Sequence, residues 1–166
     1  VATFRKSIID WRVAPDASGN CFPQLYPLVA TNDFWKNLFF NFNEPSADIY
    51  LYGAFEVPGN YVGSAKLIVV WTSQTTSGNF GIEFAYRAVG GNDSESLDQA
   101  TAQETVNTTD VAPGATDRRM EISVNLTSAN LAAGDTVEWR FARDDSADSI
   151  AGVIQIVDLL FEYADA

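Results

Sequence analysis

From about Leu38 to the end of the chain, apolar and polar residues alternate with a period of two in one segment after another, which only half-buried β-strands require. Met120, Ile122, Val124 and Leu126 alternate with Arg119, Glu121, Ser123 and Asn125. Val137, Trp139 and Phe141 flank Glu138 and Arg140 in the same way, and Phe80, Ile82, Phe84 and Tyr86 form a third series. Ile49, Leu51 and Phe55 make a fourth, with Gly53 where a bulge or the close approach of another group is expected. Leu67–Trp71 is apolar on both faces, so it should be central or covered by a neighbour. Val153–Tyr163 reads as the final strand, interrupted by Asp158, and Thr101–Thr109 as a Thr-rich edge strand. These and their neighbours amount to about eight strands, the number a β-sandwich needs.

The punctuation agrees. Pro58-Gly-Asn, Ser77-Gly-Asn, Gly90-Gly-Asn-Asp, Pro113-Gly and Ala133-Gly-Asp fall between strands, where such residues make tight turns. Only Ser128–Ala132 reads as a short helical turn, and no long amphipathic helix appears. The predicted fold is all-β: an antiparallel, jelly-roll-like β-sandwich over residues 38–166.

Residues 1–37 have another texture. They show no clean period and contain Pro15, Pro23 and Pro27, yet carry Phe4, Trp11, Phe22, Tyr26, Phe34 and Trp35. Disordered segments are poor in aromatics, so the reading is an ordered but irregular N-terminal arm lying along its own domain or another chain.

Chemistry is constrained by what is missing. The 166 residues contain no histidine and one cysteine, Cys21, which removes the commonest general base, the commonest metal ligand and any intrachain disulfide. A lone cysteine points weakly to a reducing site of synthesis. The net charge of −12, from 22 Asp and Glu against 10 Lys and Arg, opposes contact with nucleic acid or anionic membrane. The first residues hold no apolar core of a secretion signal, and Leu67–Trp71 is far too short to span a bilayer.

Asp144, Ser146 and Asp148 alternate as at the start of a calcium loop. The sixth and twelfth positions, however, hold Ser149 and Gln155 instead of the required Gly and Glu. A solvated loop is the better reading, with calcium there left open. The acidic loop of Asp93, Glu95 and Asp98 reads the same way. No carboxylate pair stands out for glycoside hydrolysis, and no nucleophile elbow, P-loop or dinucleotide fingerprint is present. The expectation is therefore no enzyme, no catalytic residue, no cofactor and no metal. Trp71 and Trp139 lie in inward series and belong to the core. Trp11 and Trp35 lie outside the strands and either anchor an interface or form a satellite cluster that closes the bottom of the sandwich.

The order of turns and strands carries a resemblance. Phe55–Gly63, with Pro58-Gly-Asn at its centre, leads through Ser64 and Ala65 into the apolar strand Lys66–Trp71. Ser77-Gly-Asn precedes Phe80–Tyr86, Leu131–Asp135 leads into Val137–Arg143, and Asp148–Gly152 precedes the last strand. Residues 38–163 in this order resemble the small acidic jelly-roll virion proteins of tailed bacteriophages. The resemblance implies a structural virion part made in the host cytoplasm: first a cement or decoration protein on the outer capsid surface, bound to the major capsid protein. A phage tail or fibre receptor-binding module, or a carbohydrate-binding module, is the alternative. It also implies a homotrimer. Tyr50, Tyr52, Ile68, Val70 and Ile154 fall opposite the inward series, where apolar surface would mark an interface. Trp11, Phe22, Phe34 and Trp35 of the arm would anchor it on the capsid. Removing residues 1–37 should on this reading leave a folded sandwich.

Overall fold

The structure is a computed structural model that describes residues 2–26, 36–91, 96 and 98–166. The alternating segments become strands packed as two antiparallel sheets. In chain order they are β1 (Thr3–Ser7), β2 (Ala14–Pro15), β3 (Cys21–Tyr26), β4 (Asn37–Phe42), β5 (Ile49–Glu56) and β6 (Tyr61–Ser73). Then follow β7 (Asn79–Val89), β8 (Glu104–Val111), β9 (Met120–Asn125), β10 (Thr136–Arg143) and β11 (Ile154–Asp165). One sheet runs β3-β4-β11-β6-β9, with β1 also paired to β11, and the other runs β2-β5-β10-β7-β8. The helical turn expected near Ser128 is a single 3-10 turn, Ser128–Asn130.

The inward series of both sheets interdigitate as one core. Phe42, Leu51, Val69, Trp71, Phe80, Phe141 and Ile156 are fully buried in it. Aromatic rings pack across the layer: Trp71 on Phe80 at 4.9 Å, Phe55 on Phe161 at 5.0 Å and Phe42 edge-on to Phe141 at 5.8 Å. Trp71 keeps its one polar group satisfied by donating Nε1–H to Asp110 on the facing sheet at 2.8 Å. Along the open side between β8 and β9, Glu104 accepts from Tyr86 Oη, Thr127 N and Thr127 Oγ1, closing the sandwich edge. Burial alone would push the Glu104 carboxyl up, but these donors hold it below the usual carboxylate range.

Gly53 marks a close approach. It pairs with Trp139, and a Cβ there would lie 2.2 Å from the indole Cζ2. Gly53→Ala must push a core tryptophan aside, which should cost about 1–3 kcal/mol or more by overpacking. Urea unfolding measures this, and a variant as stable as the parent would show that Trp139 has room to move.

Three expectations need correction. The irregular arm is, over its described part, built from strands of the sandwich: β1 on β11, β3 on β4 and β2 on β5. Ile8, Cys21 and Tyr26 are buried with the core or beside it, and burial pushes the Cys21 thiol up to about 12. A five-residue strand exposed along its whole length, as β1 is, leaves no alternation to read. Phe34 and Trp35, like Asp93 and Glu95, lie outside the described residues.

Second, Ile68, Val70 and Ile154 do not form an apolar outer face, since each is at most 1% exposed. Ile154 points inward because the pairing with β6 slips between Ile156 and Asp158, a β-bulge that flips the alternation. Ile68 and Val70 do face outward, but under cover. Arg5 on β1 bonds both Glu162 on β11 (2.7 Å) and Glu121 on β9 (2.8 Å), so this bridge crosses β6 above them. Lys66 joins at 3.2 Å, and Arg5 first, then Lys66, hold the Glu162 carboxyl below its ordinary range.

Third, the loop of Asp144 to Asp148 is not simply solvated. The Asp148 side chain is 2% exposed and pairs at 2.7 Å with Arg143, which is itself 0% exposed. Arg143 also donates to the carbonyls of Phe42, Asn43, Ile150 and Gly152. Asp148 is thus occupied by an arginine that pins β10, β4 and the 148–152 loop together.

Candidate functional site

Sheet order decides which side chains meet on the outer face of the second sheet. The series that includes Phe84, Phe141 and Leu51 faces the core, so the alternate series faces solvent. Tyr52 on β5, Arg140 on β10, Ala85 on β7 and Thr105 on β8 are successive cross-strand partners. On one side of this row stand Tyr50, Ala142, Glu83 and Asn107, and on the other Ala54, Glu138 and Arg87. The three alanines keep the floor low between the longer side chains.

The segment leading into β8 forms the wall. Gln99, Ala100, Thr101 and Ala102 line, together with Tyr52, Ala85, Arg87, Thr105, Glu138 and Arg140, a groove of about 510 Å³. That size is within the range of small-ligand sites, and between its alanines the lining presents hydroxyl, amide, guanidinium and carboxylate groups. Residues Thr101 to Gln103, expected to belong to the edge strand, serve instead as this wall and its anchor. Gln103 Oε1 accepts from Ala88 N at 2.9 Å.

The charges on the face are paired internally. Arg140 bonds Glu83 at 2.7 Å, and Arg87 bonds Glu138 at 2.5 Å and donates to the Ser96 carbonyl at 2.7 Å. The guanidinium of Arg140 lies 4.6 Å above the Tyr50 ring, a cation–π contact that fixes its plane. Its Nε is buried with no partner among the described residues. Tyr50 donates to Asp48 at 3.0 Å; burial first, and this carboxylate second, raise its phenol above the ordinary value. The Tyr50 and Tyr52 rings stand 6.1 Å apart, and Tyr52 is 42% exposed. The arrangement offers a half-exposed aromatic ring beside a trough of fixed hydrogen-bonding groups. Among the described residues no group of three or more His, Cys, Asp or Glu could hold a metal ion.

Of the residues singled out by sequence, Tyr50 and Tyr52 come together here. Trp11 stands on the turn before β2, the strand that flanks β5. Phe22 is half-buried on β3, on the outer side of the other sheet, away from the groove. Sequence reasoning missed Glu83, Arg87, Gln99, Thr101, Thr105, Glu138 and Arg140. The outward Glu138 and Arg140 were visible in the alternation, but that β10 lies between β5 and β7 was not.

No family model and no curated protein matches the chain. Solved structures are similar to it. A native family 35 carbohydrate-binding module from Clostridium thermocellum superposes with a TM-score of 0.55 at 15% identity, covering 99% of each chain. The CBM35 of Cellvibrio japonicus Abf62 gives 0.54 at 10% identity, over 99% of this chain and 95% of that one. An arabinose-bound MgGH51 α-L-arabinofuranosidase gives 0.55 at 12% identity; 92% of this chain is covered, but only 23% of that enzyme. At such identities the likeness speaks to architecture: the chain is an antiparallel β-sandwich of jelly-roll type.

Proposed function

We propose that the chain is a carbohydrate-binding module that holds a neutral glycan in the groove beside Tyr52. The observation that carries this is the groove itself, with a half-exposed aromatic ring flanking a trough of hydroxyl, amide and guanidinium groups. A sugar ring has the complementary character, with an apolar C–H face for the ring and hydroxyls for the trough. Each arginine already has its own glutamate, so the face holds no unbalanced positive charge to recruit an acidic polymer. The net charge of −12 would repel one. The likeness to modules named for carbohydrate binding agrees with the reading without supplying it.

The capsid-cement reading had its motive in an arm free to reach a neighbouring subunit. The described part of that arm is built into both sheets, so the major capsid protein rests on the resemblance alone, and of the outward residues that motivated a homotrimer Ile68, Val70 and Ile154 are buried.

The test is calorimetric titration with soluble neutral polysaccharides, among them xylan, mannan and β-glucan. One or more should bind, and Tyr52→Ala should weaken that binding by about tenfold or more, the effect of about 1.4 kcal/mol. Affinity should hold at about 1 M salt, where the Debye length is about 3 Å. Binding that Tyr52→Ala leaves intact would move the site elsewhere.

A further inference from the structure

Trp11 is 90% exposed, the most exposed of the large apolar side chains in the described structure. An indole left in water forgoes the gain that normally buries it. The turn that carries it is nevertheless held firmly. The Asp10 carboxylate accepts from the backbone N–H of Arg12 at 2.8 Å and from its Nη2 at 2.7 Å, and Val13 N–H returns to the Asp10 carbonyl at 3.2 Å. The Arg12 guanidinium lies 5.9 Å from the indole centroid, so the ring has a polar neighbour but no apolar cover. Such a turn presents the tryptophan.

Its place follows from β2. Ala14 pairs with Tyr52, and Trp11 is three residues earlier, so its Cα lies within about 11 Å of Ala14 even if the chain is fully extended. Before the turn, Lys6 Nζ donates to the Glu56 carbonyl at 2.9 Å, tying the same segment to the far end of β5. Both attachments keep the turn beside β5, the strand that carries Tyr52.

We propose that Trp11 is an outlying stacking platform of the groove, so that face and turn together take a glycan chain of several units. This rests on the carbohydrate reading above. On this placement a ligand that covers Tyr52 alone gains nothing from Trp11, whereas a longer one that crosses the β5 edge touches both.

The experiment is calorimetric titration of the intact protein and of Trp11→Ala with neutral xylo-, manno- and gluco-oligosaccharides, from disaccharide to hexasaccharide. The exposed indole supports nothing in the core, so the variant should unfold at the parent temperature. Parent affinity should climb with chain length. Trp11→Ala should match the parent on the shortest ligand that binds and lose about tenfold on the hexasaccharide. Equal affinities for parent and variant at every length would overturn the inference and leave the groove standing, as would an equal loss at every length. Failure of the parent to bind any of these sugars or the polysaccharides would overturn the carbohydrate reading, and this inference with it.

Discussion

Arg143→Met should cost about 3–5 kcal/mol, the penalty for leaving one member of a buried ion pair without the other. This guanidinium donates five hydrogen bonds, four of them to the backbone carbonyls of Phe42 and Asn43 at the end of β4 and of Ile150 and Gly152, and methionine replaces none of them. Asp148 would keep its bonds from Gly81 N and Ile150 N but lose its counter-ion inside the protein. Since domains are stable by only about 5–15 kcal/mol, the variant should be marginal at room temperature. Arg143→Lys should do little better, because a single ammonium cannot span carbonyls on two sides of the site. Adding Asp148→Asn to Arg143→Met should recover part of the loss, since it removes the stranded charge. Urea unfolding of the single and double variants measures this. A loss below about 1 kcal/mol would mean that the arginine is replaceable there.

Deleting residues 1–37 should have an effect at least as large. The truncation strips β1 from β11, β2 from β5 and β3 from β4, and removes Ile8 at 1% exposure and Cys21 at 2% from the core. Arg5 would leave too, and with it the bridge over Ile68 and Val70. Large-to-small changes at single buried sites cost about 2–5 kcal/mol, so losing several such groups and three strand pairings should leave residues 38–166 unfolded or aggregated. Circular dichroism and a thermal melt decide it. A cooperative melt of the truncated chain at the parent temperature would restore the detachable arm.

Most strands from Leu38 onward were legible because they have one dry and one wet face, and period two survives in sequence whatever the neighbours are; the central β6, buried on both faces, was legible as a continuous apolar run. Gly53 was legible as a close approach for the same reason: a glycine in an inward series implies that something occupies its side-chain space. Ile154 misled because a single bulge inverts a strand's alternation without leaving a signal in composition. β1 and β2 were invisible because an exposed strand and a two-residue strand have no buried face to betray them. The turn-and-strand order that carried the resemblance to phage virion proteins placed the strands of the jelly-roll sandwich. The groove was half legible. Tyr50, Tyr52, Glu138 and Arg140 could be placed on outward faces, but their meeting depends on β10 lying between β5 and β7. Strand order is set by long-range pairing, which no local pattern encodes.

The central claim is that the outer face of the β2-β5-β10-β7-β8 sheet holds a neutral glycan. Amide chemical-shift mapping of the isotope-labelled protein, titrated with the polysaccharide fragment that binds best, tests it most directly. The account predicts shifts concentrated at Tyr52, Ala85, Thr101, Thr105 and Arg140, with Glu121, Ser123 and Asn125 on the opposite sheet unmoved. Shifts centred on the opposite sheet, or no shifts with any neutral glycan, would contradict it.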